Sequence, residues 1–166
     1  MADDVCLEDI TGQTGLLHCI GIFPSGHPAL KEFPTTFAKR LGIDGYDVYI
    51  PLQRLDLVKN SLGELIADDK DWDRLRIQQG IPEWDAELGE ATLPPEALLD
   101  ATHIDYHKGC YIGQEVISRI KSVGHVNRTL CRLKGVAKEL PVAGSPFYSN
   151  EGTEAGVLTS IAATQE

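Results

Sequence analysis

The chain has 166 residues, a formal net charge of −10 and 42% hydrophobic residues. This length fits one domain, or one domain and part of another, and it is enough to bury a core. The acidic balance argues against general nucleic-acid binding through a basic surface. No apolar run approaches the roughly 20 residues that a membrane helix requires. Because residues 1–6 also lack the basic start and apolar stretch of a signal peptide, the sequence predicts a cytoplasmic protein that contacts neither membrane nor nucleic acid directly.

The first half of the chain predicts strands followed by helices. Weak alternation at 5–10 indicates a strand, and the short apolar run 16–22 indicates a buried strand. The stretch 35–50 is typical of a hairpin with a turn at its Gly-Ile-Asp-Gly sequence. Apolar residues at three- and four-residue spacing predict an amphipathic helix at 53–67. A second helix is expected at 71–79, with acidic residues in its first turn and a glycine after its end.

The second half predicts a mixture of helix and short strands. Residues 81–95 indicate a loop, followed by a short helical turn at 95–99 and by a turn that runs into a helix ending near residue 120. Alternation then predicts strands at 129–133 and 155–161, as in the opening hairpins of a small β-barrel. About 40 residues cannot close such a barrel, so we expect the chain to end inside a domain or to be completed by another chain.

Charge is distributed unevenly along the chain. Residues 64–105 contain 12 acidic and 3 basic side chains, a net charge of −9. Residues 106–138 contain 7 basic side chains and 1 acidic side chain, a net charge of +6. The second stretch could receive an anionic ligand or a phosphate-bearing partner, or it could be a solvated face paired with the acidic stretch.

The four cysteines predict free thiols. No pair has C-x-x-C spacing and no histidine lies at zinc-finger spacing, so no metal site is expected. A chain of this size does not need disulfide bonds for stability. Cys6, Cys19 and Cys131 are interpreted as small buried hydrophobic residues.

Cys110 lies in a segment whose local chemistry favours a reactive thiol. Gly109 and Gly113 free the backbone on either side of it, and a helix N-terminus at or near Cys110 would favour the thiolate. Lys108 adds positive charge two residues away, so Cys110 and Lys108 are the candidate catalytic residues. Two histidines can add further positive charge: His103 and His107. The alternative is a cysteine that only packs at the start of a helix.

Residues 108–115, Lys-Gly-Cys-Tyr-Ile-Gly-Gln-Glu, match the pattern K-G-C-Y-x-G-Q-E at every position. This pattern is the signature of the folate-binding branch of the glycine-cleavage T-protein (aminomethyltransferase) superfamily whose members assemble or repair iron–sulfur clusters. The chain resembles this family over residues 5–161. The remaining signature residues are Gly109, Tyr111, Gly113, Gln114 and Glu115. Flanking stretches that also resemble the family are 76–77, 80–82, 87–88, 93–97, 124–130 and 155–160.

The resemblance implies an α+β fold. A partial T-protein-like folate-binding domain, with an antiparallel sheet and helices, is expected at 1–122. The beginning of a C-terminal β-barrel domain is expected at 123–166, so the chain resembles a family member shortened at both ends. Family members form a ring-like body with a central hole that takes tetrahydrofolate, which is therefore the expected cofactor.

Folate binding suggests five candidate residues. The pterin ring needs a flat apolar slot with a few polar groups, for which Gln78, Trp84 and Tyr111 are candidates. The anionic glutamate tail needs cations, for which Arg119 and Lys121 are candidates. The alternatives are ordinary core packing for the two aromatic residues and plain surface charge for the two cations.

The resemblance implies an accessory factor for iron–sulfur cluster assembly or repair, with an indirect effect on tRNA modification, rather than a classical enzyme. Its expected partners are iron–sulfur proteins or cluster-assembly factors. One alternative is a tetrahydrofolate-dependent aminomethyltransferase. Against it, those enzymes usually have a glutamate where this chain has Gln78, and they carry a catalytic aspartate in a first segment that has no counterpart here. Another alternative is a split-gene or partner-dependent fragment that works only with a second chain.

Overall fold

The computed structural model describes residues 5–163, which form two compact units. One unit extends to Asp71 and the other begins at Trp72. The predicted boundary at residue 122 refers to domains of the family fold and not to these two units. It stays a prediction.

The first unit contains a three-stranded antiparallel sheet. Its strands are β1 (Thr14–Ile20), β2 (Thr35–Ala38) and β3 (Gly45–Pro51), in the order β1-β3-β2. The hairpin predicted within 35–50 is confirmed as β2 and β3. The strand predicted at 16–22 is confirmed as β1, but the expectation that it is buried is wrong. Because β1 is an edge strand with one open face, only Cys19 within it is buried.

One face of this sheet packs against helix α1 (Leu52–Leu62), which confirms the helix predicted at 53–67 but ends earlier. The chain leaves α1 at Gly63, whose φ of +53° favours glycine. Val48 and Ile50 on β3 are fully buried, and burial of each such side chain contributes about 1.5–3 kcal/mol. The core of the unit is formed by Cys19, Leu30, Phe33, Val48, Ile50, Val58 and Leu62.

The prediction of a strand at 5–10 is wrong. These residues have no regular secondary structure, and Val5 and Leu7 are 70% and 93% exposed. Alternation produces a strand only where one face is covered and the backbone finds a pairing partner.

Helix α2 (Asp69–Gln79) carries the chain from the first unit into the second. It confirms the helix predicted at 71–79, with Asp69 and Asp71 in its first turn and Gly80 after its end at a φ of +71°. The second unit also contains a 3₁₀ turn (Pro94–Ala97), the short helix α3 (Asp100–His103) and helix α4 (Gln114–Ser122). The predicted short helical turn at 95–99 and the helix after the signature are therefore confirmed.

The second unit ends in an antiparallel hairpin of β4 (Pro146–Tyr148) and β5 (Glu154–Val157). The strand predicted at 155–161 is thus confirmed only in its first part. The strand predicted at 129–133 is wrong. The Leu130 backbone N–H donates to the Glu96 carbonyl at 2.7 Å, so this segment packs as an irregular chain against the 3₁₀ turn.

The combination of separate helices and antiparallel sheets confirms the α+β class. Within residues 5–163, no helix is both long and apolar enough to cross a membrane.

Candidate functional site

The signature follows a short loop that Asp105 organises. Its carboxylate accepts hydrogen bonds from the backbone N–H groups of His107, at 2.7 Å, and Lys108, at 3.3 Å. These bonds, first that from His107, lower the pKa of Asp105. The carboxylate therefore fixes the backbone immediately before Gly109 and Cys110.

Cys110 is exposed and lies just outside helix α4. Cys6 and Cys131 are exposed as well, so their interpretation as buried residues is wrong, whereas Cys19 is buried.

Gly113 caps helix α4 with a φ of +87°, and the first helical residue is Gln114. The sequence predicted that Cys110 lies at or near the start of the helix. In the structure Cys110 lies slightly farther from the helix start than predicted. Because the field of a helix falls off within its first turn, α4 has less influence on the thiol than expected. Because Cys110 is exposed, other molecules can reach it.

Two lysine–tyrosine contacts lie around the signature. The Lys108 ammonium is 5.0 Å from the centroid of the Tyr111 ring, and the Lys121 ammonium is 3.5 Å from that of Tyr106. Both are cation–π contacts, which leave the positive charge of the lysine uncompensated. Partial burial, together with the charges of Asp100 and Tyr111, raises the pKa of Tyr106. The two lysine–tyrosine pairs lie within residues 106–121, on either side of Cys110 in the sequence.

A cavity of about 510 Å³ adjoins the signature. It is open to solvent, and its wall is largely apolar with a few polar groups. Tyr111 lines this cavity, and its hydroxyl is buried and has no hydrogen-bond partner within the described part of the chain. The wall is formed by Leu93, Pro94, His103, Ile104, Asp105, Lys108, Tyr111, Ile112, Gly113, Val116 and Ile117.

The structure brings three of the predicted site residues together at this cavity: Lys108, Tyr111 and Gly113. Arg119 lies at a second cavity, of about 330 Å³, and pairs with Glu115 on the same helix. Lys121 lies over Tyr106 rather than in either cavity.

The other two folate candidates lie elsewhere in the second unit. Gln78 is exposed, and its backbone carbonyl accepts a hydrogen bond from Arg132. Trp84 is 59% exposed in the loop after α2. Among residues 5–163, the five candidates therefore do not line a common cavity.

A buried ionic cluster around Arg76 was not predicted. The Arg76 guanidinium contacts the carboxylates of Asp73, Glu83 and Glu87 at 2.8, 2.7 and 3.3 Å, and it donates to the Ser160 hydroxyl at 3.1 Å. Ser160 in turn donates to Glu87 at 2.6 Å. Burial raises the pKa of Glu87, but hydrogen bonds from Ser160 and the Glu83 N–H and the charge of Arg76 outweigh it, so the pKa is lowered.

The sequence did contain a signal for this cluster. Arg76, Glu87 and Ser160 each belong to a different stretch that resembles the family, at 76–77, 87–88 and 155–160. The contacts show that these stretches are joined by ionic and hydrogen bonds inside the second unit.

Comparisons with known proteins identify relatives for part of the chain. It is 40% identical over 88 residues to the tRNA-modifying protein YgfZ of Escherichia coli, a match that covers 52% of this chain and 27% of the relative. It is 39% identical over 83 residues to the protein of the same name from Blochmanniella pennsylvanica, covering 46% and 25%. It is 33% identical over 127 residues to the mitochondrial iron–sulfur cluster assembly factor IBA57 homolog of Coccidioides immitis, covering 72% and 30%.

No protein-family model matches the chain. The alignments span 25% to 30% of the length of these curated relatives. Over the matched residues, the resemblance found from the signature is confirmed: the chain is related to the folate-binding, T-protein-like family to which YgfZ and IBA57 belong.

Proposed function

We propose that this chain acts as a folate-dependent accessory factor in iron–sulfur cluster assembly or repair, with an indirect effect on tRNA modification. The names of the YgfZ and IBA57 relatives support the process. The complete signature at 108–115 supports the site. The proposal includes a T-protein-like fold, iron–sulfur proteins or assembly factors as partners, and a cytoplasmic location.

The observation that carries the proposal is the exposure of Cys110 within the signature loop. A thiol that ligates iron or exchanges a disulfide must reach a partner and must ionise. Cys19 shows the contrast, since burial first, and then the charge of Asp47, raises the pKa of its thiol. The positive charge of the neighbouring Lys108 would act on any negative charge that forms at the signature loop.

Complementation tests this function. In bacteria that lack YgfZ, expression of the full chain should restore the activity of iron–sulfur enzymes, and Cys110→Ser should abolish that rescue. Cys131→Ser is the matched control, because Cys131 is also an exposed thiol of the second unit and should be dispensable. Full rescue by the Cys110→Ser variant would remove Cys110 from the mechanism.

Folate is part of the proposal, and the cavity beside the signature fits it in part. Tetrahydrofolate would supply a reduced pterin that carries one-carbon units. Of the five candidate contacts only Tyr111 lines this cavity, and its buried hydroxyl has no hydrogen-bond partner among residues 5–163. We therefore assign Tyr111 a binding role and derive no reaction step through folate.

Calorimetric titration of the full chain with tetrahydrofolate tests the cofactor. We expect saturable binding that Tyr111→Ala weakens by about tenfold, the equivalent of 1.4 kcal/mol. Tyr148→Ala should bind as the unchanged chain does, because Tyr148 is an exposed tyrosine of the same unit that lines neither cavity. Absence of binding would remove folate from the proposal and leave the role of Cys110 in place.

A further inference from the structure

We draw no further inference here: the strongest candidate, the exposed apolar surface along helix α4 at Ile112, Val116 and Val123, carries none because nothing in the structure of residues 5–163 shows what covers it.

Discussion

At the scale of single residues, Cys110 and Arg76 show what sequence can and cannot predict. The signature identified Cys110 because its eight residues are contiguous in the chain. The Arg76 cluster was not predicted, because Glu87 and Ser160 lie 11 and 84 residues away from Arg76 in the sequence. Contiguous motifs can be read directly, whereas a buried ionic cluster is defined only when the chain folds.

The Arg76 cluster predicts a large loss of stability when one partner is removed. Arg76→Met would leave the Glu87 carboxylate, whose side chain is 5% exposed, buried without its cation. We expect the second unit to lose roughly 3–5 kcal/mol of stability, measured by native-state hydrogen exchange of the α2 amides. The control Arg119→Met removes an exposed pair and should cost less than about 1 kcal/mol.

A double variant separates an unpaired charge from lost packing. Arg76→Met with Glu87→Leu removes both charges, so it should recover part of the stability lost in the single variant. If the double variant is less stable than Arg76→Met alone, the unpaired carboxylate is not the cause of the loss.

At the scale of elements, helices were predicted better than strands. The helices at 52–62 and 69–79 follow from local spacing and from their glycine ends. The predicted strands at 5–10 and 129–133 failed because alternation says nothing about whether a pairing strand is near. In the second case the segment is held instead by Leu130 and by Arg128, which contacts the Glu96 carboxylate.

The pairing of β1 with β3 predicts a loss of stability in acid. Asp47 on β3 lies opposite His18 on β1, and it accepts bonds from Arg40 and His18. The bonds from Arg40 first, and that from His18, outweigh burial and lower the pKa of Asp47 below its ordinary value of 3.8. A carboxylate whose pKa is lowered by folding stabilises the fold above its unfolded pKa, and this contribution disappears as the pH falls through the folded value.

We therefore expect the first unit to keep this contribution above about pH 4 and to lose it progressively below that pH. Hydrogen exchange of the Val48 amide, corrected for the intrinsic rate at each pH, measures the change. Asp47→Asn should lower stability at neutral pH and remove most of this acid dependence, whereas Asp56→Asn, at an exposed carboxylate of α1, should preserve it. Equal acid dependence in both variants would show that Asp47 is not responsible.

At the scale of the whole molecule, the chain combines two compact units with an uneven distribution of charge. The basic stretch 106–138 contains the signature, helix α4, the lining of the smaller cavity and part of the lining of the larger one. Sequence predicted the α+β class and the position of the signature. It did not predict that Gln78, Trp84 and Tyr111 line no common cavity, because different loops and helices position these residues.

The proposed function depends most on a thiol at position 110 that reaches solvent and reacts. The direct measurement is the rate of alkylation of each cysteine in the native full chain by iodoacetamide, followed by mass spectrometry of the resulting peptides. We predict that Cys110 reacts at least about tenfold faster than the buried Cys19 and also faster than the exposed Cys131, which has no signature around it. A Cys110 that reacts as slowly as Cys19, while Cys131 is alkylated, would contradict the account.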